Sequence, residues 1–304
     1  MQRKYLVIFL SLCIVLGAGL LAGAQDFTPK IEFATPAAYE AATGRTITSY
    51  NEAPELAALV QAGELDPVEQ RLPLEPRVIE PVEEIGQYGG NLRRAWLGPS
   101  DRWNVRHFIG EPFITTTVDA VPMPNVAKGW EILDDNRVFI FYMREGMRWS
   151  DGHPVTSADA EFWWSIKTDP RAYHPHSDWM LQNGEPGKFE VIDEYTFKIS
   201  FPEPNTGFLL GAAGDGRARM LAPKHYLMQF HPDYADPEEL DRLIKEGGYD
   251  SWQSLFDNMY QFPERNPHRP TITAWYPISE PTDAQFILVR NPYYWKVDTE
   301  GNQL

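Results

Sequence analysis

The chain has 304 residues, 43 acidic against 27 basic side chains, a formal net charge of −16, one cysteine and ten tryptophans. That balance excludes the basic footprint of a nucleic-acid binder, and a lone cysteine excludes a disulfide framework. The length allows a large core, and the ten tryptophans, all between Trp96 and Trp295, supply material for it.

Residues 1–24 read as a secretory signal, with a retained membrane anchor as the alternative. Arg3 and Lys4 form a basic start, an apolar run follows from Leu6 to about Leu21, and Ala22-Gly23-Ala24 makes a small-residue cleavage site. Cys13 lies inside this stretch and lacks the small preceding residue of a lipoprotein signal. Cleavage before Gln25 leaves 25 basic and 43 acidic residues, a net charge of about −18, and no cysteine. The expected product is a monomer secreted to the periplasm or another extracytoplasmic space, with its stability drawn from a core.

Residues 25–85 are poor in aromatics and read as an N-terminal arm laid on the main body. Asn51 is expected to open a helix over Glu52 to Ala62, closed by Gly63. Prolines 67, 73, 76 and 81 then make an extended connector.

The stretch Trp130–Trp164 carries the clearest local signals. Trp130–Leu133 and Val138–Met143 are β-rich runs separated by the turn residues Asp134-Asp135-Asn136. The second run is apolar at nearly every position, which predicts cover on both faces. Glu145-Gly146 and Ser150-Asp151-Gly152 turn the chain twice, and Pro154 holds His153 out of the helical region. Thr156 with Asp159 three residues on is a capping box, so a helix is predicted from Ser157 to Lys167, stopped by Asp169-Pro170. Trp163 and Trp164 should straddle its buried face.

Further on, His174-Pro-His176 with Asp178 has the look of a metal site. Zinc needs three or four converging ligands, which the region does not clearly supply, so neither metal nor cofactor is expected. Phe189–Phe201 repeats the pattern of apolar run, acidic turn and alternating strand, and predicts a second hairpin ended by Pro202 and Pro204. Gly211–Gly216 resembles a phosphate cradle in composition only, because the required spacing is missing, and reads as a surface turn. Glu238–Lys245 and Ser251–Met259 are amphipathic helices separated by Gly247-Gly248.

The order strand, Asp-Asn turn, strand ending Arg144-Glu145-Gly146, then Arg148-Trp149-Ser150-Asp151-Gly152, Pro154, Thr156 and Asp159 resembles the signature of the family 5 extracellular solute-binding proteins. These are the peptide, nickel and oligosaccharide receptors of ABC importers. The similarity continues in the Pro-x-x-Ala before Trp130, in Met220–Tyr226, and in Arg290-Asn291-Pro292-Tyr293-Tyr294-Trp295. The resemblance makes Met220–Tyr226 the start of a short helix, where His225 would have a packing role. It implies an α/β fold of the periplasmic-binding-protein type II kind, a lobe with a mixed sheet, flanking helices and β-hairpins. Lobe I would occupy residues 86–304, with the second lobe largely absent.

By the same resemblance Tyr88–Ala95 would form the first core strand, and the loop from Trp96 to Trp103 would edge the ligand cleft. Trp275 stands where many members carry a Gly-Thr-Gly-Pro turn near that cleft. The implied ligand-binding residues are therefore Trp96, Trp103 and Trp275, stacking on a sugar ring or a peptide side chain, with core packing as the alternative for Trp96 and Trp103. The implied function is non-catalytic: an oligopeptide or oligosaccharide is bound in an interlobe cleft and delivered to an ABC-importer permease. Two other readings stand beside it, a truncated receptor fragment without transport function and a secreted glycan hydrolase using Asp151 and Glu161.

Overall fold

A computed structural model describes residues 33–98, 101, 105, 108–117, 119–172, 177–213 and 220–304. The expected signal, Trp103 and the His174/His176 pair lie outside the described residues. The first helix, α1 (Pro36–Thr43), is capped by the Thr35 hydroxyl, which accepts from the Ala38 amide at 3.1 Å, and ends on left-handed Gly44.

Helix α2 (Pro54–Ala62) starts at proline rather than at Glu52, because the fixed φ of Pro54 suits the first helical position. Asn51, expected to open this helix, is used elsewhere: its amide donates to the Gly301 carbonyl at 3.0 Å and its own carbonyl accepts from the Gln303 amide at 2.8 Å. The short α3 (Val68–Arg71) and the strand β1 (Arg77–Ile79) follow.

No strand forms over Tyr88–Ala95. Gly89 and Gly90 adopt left-handed φ values of 115° and 75°, and Leu92 is 74% exposed. The left-handed glycines interrupt the extended backbone, and residues 89–95 are all exposed, so the segment has no apolar face to drive sheet pairing.

Strands β2 (Ile114–Thr116) and β3 (Pro122–Pro124) form an antiparallel pair. The predicted hairpin appears as β4 (Gly129–Leu133) and β5 (Val138–Tyr142), and all three turn residues Asp134, Asp135 and Asn136 have positive φ, a conformation that short polar side chains tolerate. Phe139 and Phe141 are fully buried while Val138, Ile140 and Tyr142 are only half-buried, so one face of β5 is covered more lightly than its composition predicts.

The capping box of α4 (Ser157–Thr168) is present in full, and Trp163 and Trp164 are both buried. Strands β6 (Leu181–Gln182) and β7 (Glu185–Pro186) make a small pair. Next, β8 (Lys188–Asp193) and β9 (Thr196–Ser200) form the second hairpin and join the first in one antiparallel sheet of order β4-β5-β9-β8. The rings of Phe113, Phe139, Phe141, Phe197 and Phe208 meet on its buried face, with Phe139 and Phe208 centroids 4.7 Å apart and Phe141 and Phe197 5.3 Å apart.

Gly211 is not in a surface turn but inside α5 (Phe208–Ala213). A Cβ there would run into the Trp179 ring, so the helix needs the bare backbone to pack this closely. Helices α6 (Lys224–Leu227), α7 (Pro237–Glu246) and α8 (Trp252–Tyr260) complete this side, burying Leu227, Leu240, Leu255 and Phe256.

The chain closes with β10 (Trp275–Pro277) paired antiparallel to β11 (Leu288–Arg290), and β12 (Lys296–Asp298) paired in parallel with β1. That last pair carries a second, smaller core of Phe33, Tyr39, Val68, Leu72, Val78 and Val297. Among the described residues no helix is long and apolar enough to cross a membrane.

Candidate ligand-binding face and signature turn

The turn before α4 is fixed by one carboxylate. Asp159 Oδ2 accepts from the Thr156 amide at 3.0 Å and from the Trp149 indole at 3.3 Å, while Oδ1 accepts from the Lys224 amide at 2.9 Å. Burial pushes the Asp159 carboxyl above its ordinary range, and these three donors pull against that. The capping residue thus holds the turn, α4 and α6 together.

Gly152, at φ 88°, lets the turn pass against the Tyr293 ring, whose hydroxyl would lie 3.1 Å from any Cβ. Asp151 and His153 project from this turn toward His225 on α6. Asp151 Oδ2 is 2.8 Å from His225 Nε2 and 3.3 Å from His153 Nδ1, and the two imidazoles stack at 4.1 Å with an interplanar angle of 12°. Burial raises the Asp151 carboxyl, but the hydrogen bond and charge of His225 outweigh it and hold the group below its ordinary value. His225 therefore faces a polar partner and is not simply packed. Glu161 lies exposed on α4.

The second set of residues centres on β10. Ser150 donates its amide to Thr271 O at 2.8 Å and accepts from the Thr271 amide through its hydroxyl at 3.1 Å. Thr273 Oγ1 donates to Trp275 O at 2.8 Å, and buried Asn291 donates from its side chain to Thr273 O at 2.9 Å. These bonds fix the backbone that presents Trp275, whose ring is half-buried. The Arg290 guanidinium lies 4.9 Å from the Trp275 ring centroid and 5.2 Å from that of Tyr88, and its Nε donates to Glu55 at 3.3 Å. Tyr88 in turn donates its hydroxyl to Gln303 O at 2.8 Å, and burial raises its phenol to about 12 despite the opposing charge of Arg290.

Trp96, the other described tryptophan of the expected site, stacks face to face on Phe286 at 4.9 Å and 10°. Phe286 leads into β11 and so belongs to the same hairpin as Trp275. Arg290 and Phe286 are four residues, or about 13 Å, apart along an extended chain, so the two tryptophans mark separate positions on this hairpin and do not touch through these partners. The Tyr88, Arg290 and Glu55 contacts were not foreseen. Glu55 and Arg290 are 235 positions apart, and no local spacing signals such a pair.

A sequence description of the bacterial extracellular solute-binding proteins, family 5 middle region, matches residues 121–303. The periplasmic alpha-galactoside-binding protein of Rhizobium meliloti (strain 1021) is 30% identical over 269 residues, which is 81% of this chain and 36% of that protein. A solved structure of an oligopeptide-binding protein OppA superposes with a TM-score of 0.83 at 43% identity, over 90% of this chain and 42% of that one. The periplasmic binding protein MelB of Agrobacterium fabrum C58, solved in complex with stachyose, gives a TM-score of 0.66 at 27% identity, over 84% of this chain and 39% of that one. The chain spans about a third of the length of the curated relatives it matches.

Proposed function

The chain belongs to family 5 of the bacterial extracellular solute-binding proteins, and from that premise we propose that it is the extracytoplasmic solute-binding component of an ABC importer. It takes an oligosaccharide or an oligopeptide and passes it, unaltered, to a permease. We place it, as a monomer, in the periplasm or an equivalent external space. In this reading residues 25–85 are an arm on the lobe formed by residues 86–304, and Trp96, Trp103 and Trp275 face the solute.

The observation that carries the proposal is Trp275, its ring clamped against Arg290 on a hydrogen-bonded hairpin while the residue stays only partly buried. A rigid aromatic face of this kind binds sugar rings or apolar side chains at small entropic cost, because it is ordered before the ligand arrives. Two lobes closing over it would bury the solute and complete the site. Similarity to the alpha-galactoside-binding protein and to the stachyose complex favours a saccharide, and similarity to the OppA structure favours a peptide.

Tryptophan fluorescence during titration with stachyose and, separately, with a pool of short peptides tests this. A saturable change without release of any product is expected from one of the two, weakened at least tenfold by Trp275→Ala. Silence from a folded sample with both probes overturns the receptor reading, and product release overturns its non-catalytic nature.

A further inference from the structure

The geometry points to a site for a divalent transition-metal ion of the zinc class, built from His153, His225 and Asp151. This does not depend on the solute-binding proposal. The three side chains offer two imidazole nitrogens and one carboxylate oxygen, and their ligand atoms all lie within 4.8 Å of one another. Zinc bound at ligand distances near 2.0–2.2 Å in a tetrahedron separates its ligands by about 3.3 Å. From Asp151 Oδ2, His153 at 3.3 Å already stands at that separation, while His225 at 2.8 Å is closer and would be pushed apart from the carboxylate by a bound ion.

The ligands are carried by elements that are already fixed. Asp151 and His153 sit on the turn that Gly152 bends against Tyr293, and His225 follows Lys224, whose amide is bonded to the same Asp159 that caps α4 and holds Trp149. A metal ion would therefore meet two of its ligands on a preset turn and the third on a helix tied to that turn. The two imidazoles stack nearly parallel at 4.1 Å, so both can face one ion only if the His153 ring turns out of the stack; its side chain is 58% exposed, which leaves room for that turn and for water to complete the coordination shell. Such a donor set, two imidazoles and a carboxylate with open positions, suits zinc, nickel or copper better than calcium or magnesium, which prefer oxygen alone.

A second cluster, Asp169, His231 and Asp233, also has three donor groups in reach of one another. It differs in a decisive respect: Arg171 already bridges its two carboxylates, at 2.6 Å to Asp169 and 2.5 Å to Asp233, and His231 is buried. A cation there would have to displace a guanidinium. At Asp151 no arginine or lysine pairs with the carboxylate among the described residues, and both of its ion-pair partners are histidines.

Calorimetric titration of the full chain with zinc sulfate, after chelator treatment and dialysis, tests the site. One zinc per chain is expected. His153→Gln and His225→Gln should each weaken it more than tenfold, and the double change His174→Gln with His176→Gln should leave it unaltered. Zinc at a hundredfold excess over its dissociation constant should raise the melting temperature of the parent chain by about 5 °C and that of His153→Gln by much less. The exposed His153 variant provides the folded control, checked by its metal-free melting curve. Zinc binding that survives both single changes, or that disappears only with the His174/His176 pair, overturns the assignment, as does the absence of any stoichiometric heat.

Discussion

The described residues form two cores that are held together by different means. Around the β4-β5-β9-β8 sheet the buried residues are rings and aliphatic chains, among them Phe113, Phe139, Phe141, Phe197 and Trp149, each at most 1% exposed. Around the parallel pair β1-β12 the apolar cluster is small, and three arginines, Arg71, Arg77 and Arg144, are buried beside it at 2% exposure or less.

Arg144 donates to the carbonyls of Ala34 at 2.6 Å, Glu75 at 2.7 Å and Asn125 at 2.9 and 2.8 Å. Burial, helped by the neighbouring charge of Arg77 and opposed by Glu75, lowers its guanidinium to about 9, which still leaves it charged at neutral pH. Arg71 does similar work between Glu52, Asp66 O and Pro292 O. Close by, Lys296 Nζ bridges both Glu111 oxygens at 3.0 and 2.9 Å, and Tyr294 donates to the same carboxylate at 2.6 Å. The first core is stabilised by area removed from water. The second uses planar guanidinium donors to satisfy backbone carbonyls in irregular segments, such as those of Ala34, Glu75 and Asn125.

The two regions therefore answer differently to substitution. The largest effect is expected for Phe141→Ala, which deletes a fully buried ring and should cost about 3–5 kcal/mol in a denaturant melt. The sharper test is Arg144→Lys, which keeps the charge and removes the fork. It should cost about 2–3 kcal/mol, whereas Phe141→Leu, a comparable trimming in the aromatic core, should cost about 1–1.5 kcal/mol. Equal losses from these two would erase the distinction. Asp159→Asn keeps the shape of the cap but replaces one accepting oxygen by a donor opposite an amide or indole N–H, for about 1–2 kcal/mol, read from the thermal midpoint.

The smallest effect is pH-dependent. Burial lowers the His231 imidazole, while the hydrogen bonds and charge of Arg171 lower the carboxyls of Asp169 and Asp233. In each case the unfolded chain takes up protons before the folded one. Stability should therefore fall as pH drops through about 6.5, the free imidazole value, and again below about 4, where free carboxyls protonate. His231→Gln should flatten the first step, and Arg171→Ala the second, in melts recorded from pH 7 to pH 3. An unchanged acid limb in Arg171→Ala would show that the Asp169–Arg171–Asp233 bridge contributes nothing to folding.

Much of the first core was legible because its signals are local. Asp134-Asp135-Asn136 announces a turn, Thr156 and Asp159 announce a helix start, and alternation in β9 announces which residues face inward. Where local reasoning failed, a distant partner had intervened. Asn51 bonds to Gly301 and Gln303 instead of capping α2, and Gly211 lies in a helix packed so closely on Trp179 that a Cβ would not fit. The predicted strand over Tyr88–Ala95 did not form because Gly89 and Gly90 turn left-handed and the residues after them bury no face, and Tyr88 instead spans to Arg290 and Gln303.

What the amino-acid order determined by itself is the family signature, the two hairpins and the capped helices, since propensities, caps and side-chain periodicity act over about four residues or fewer. Only the tertiary structure decided which charges meet. Arg290 finds Glu55, Lys296 finds Glu111, and Asp151 finds His225 across 235, 185 and 74 positions. Such pairings depend on how folded elements come together in space, because a charge can be buried or aimed only once the surrounding surfaces exist to enclose it.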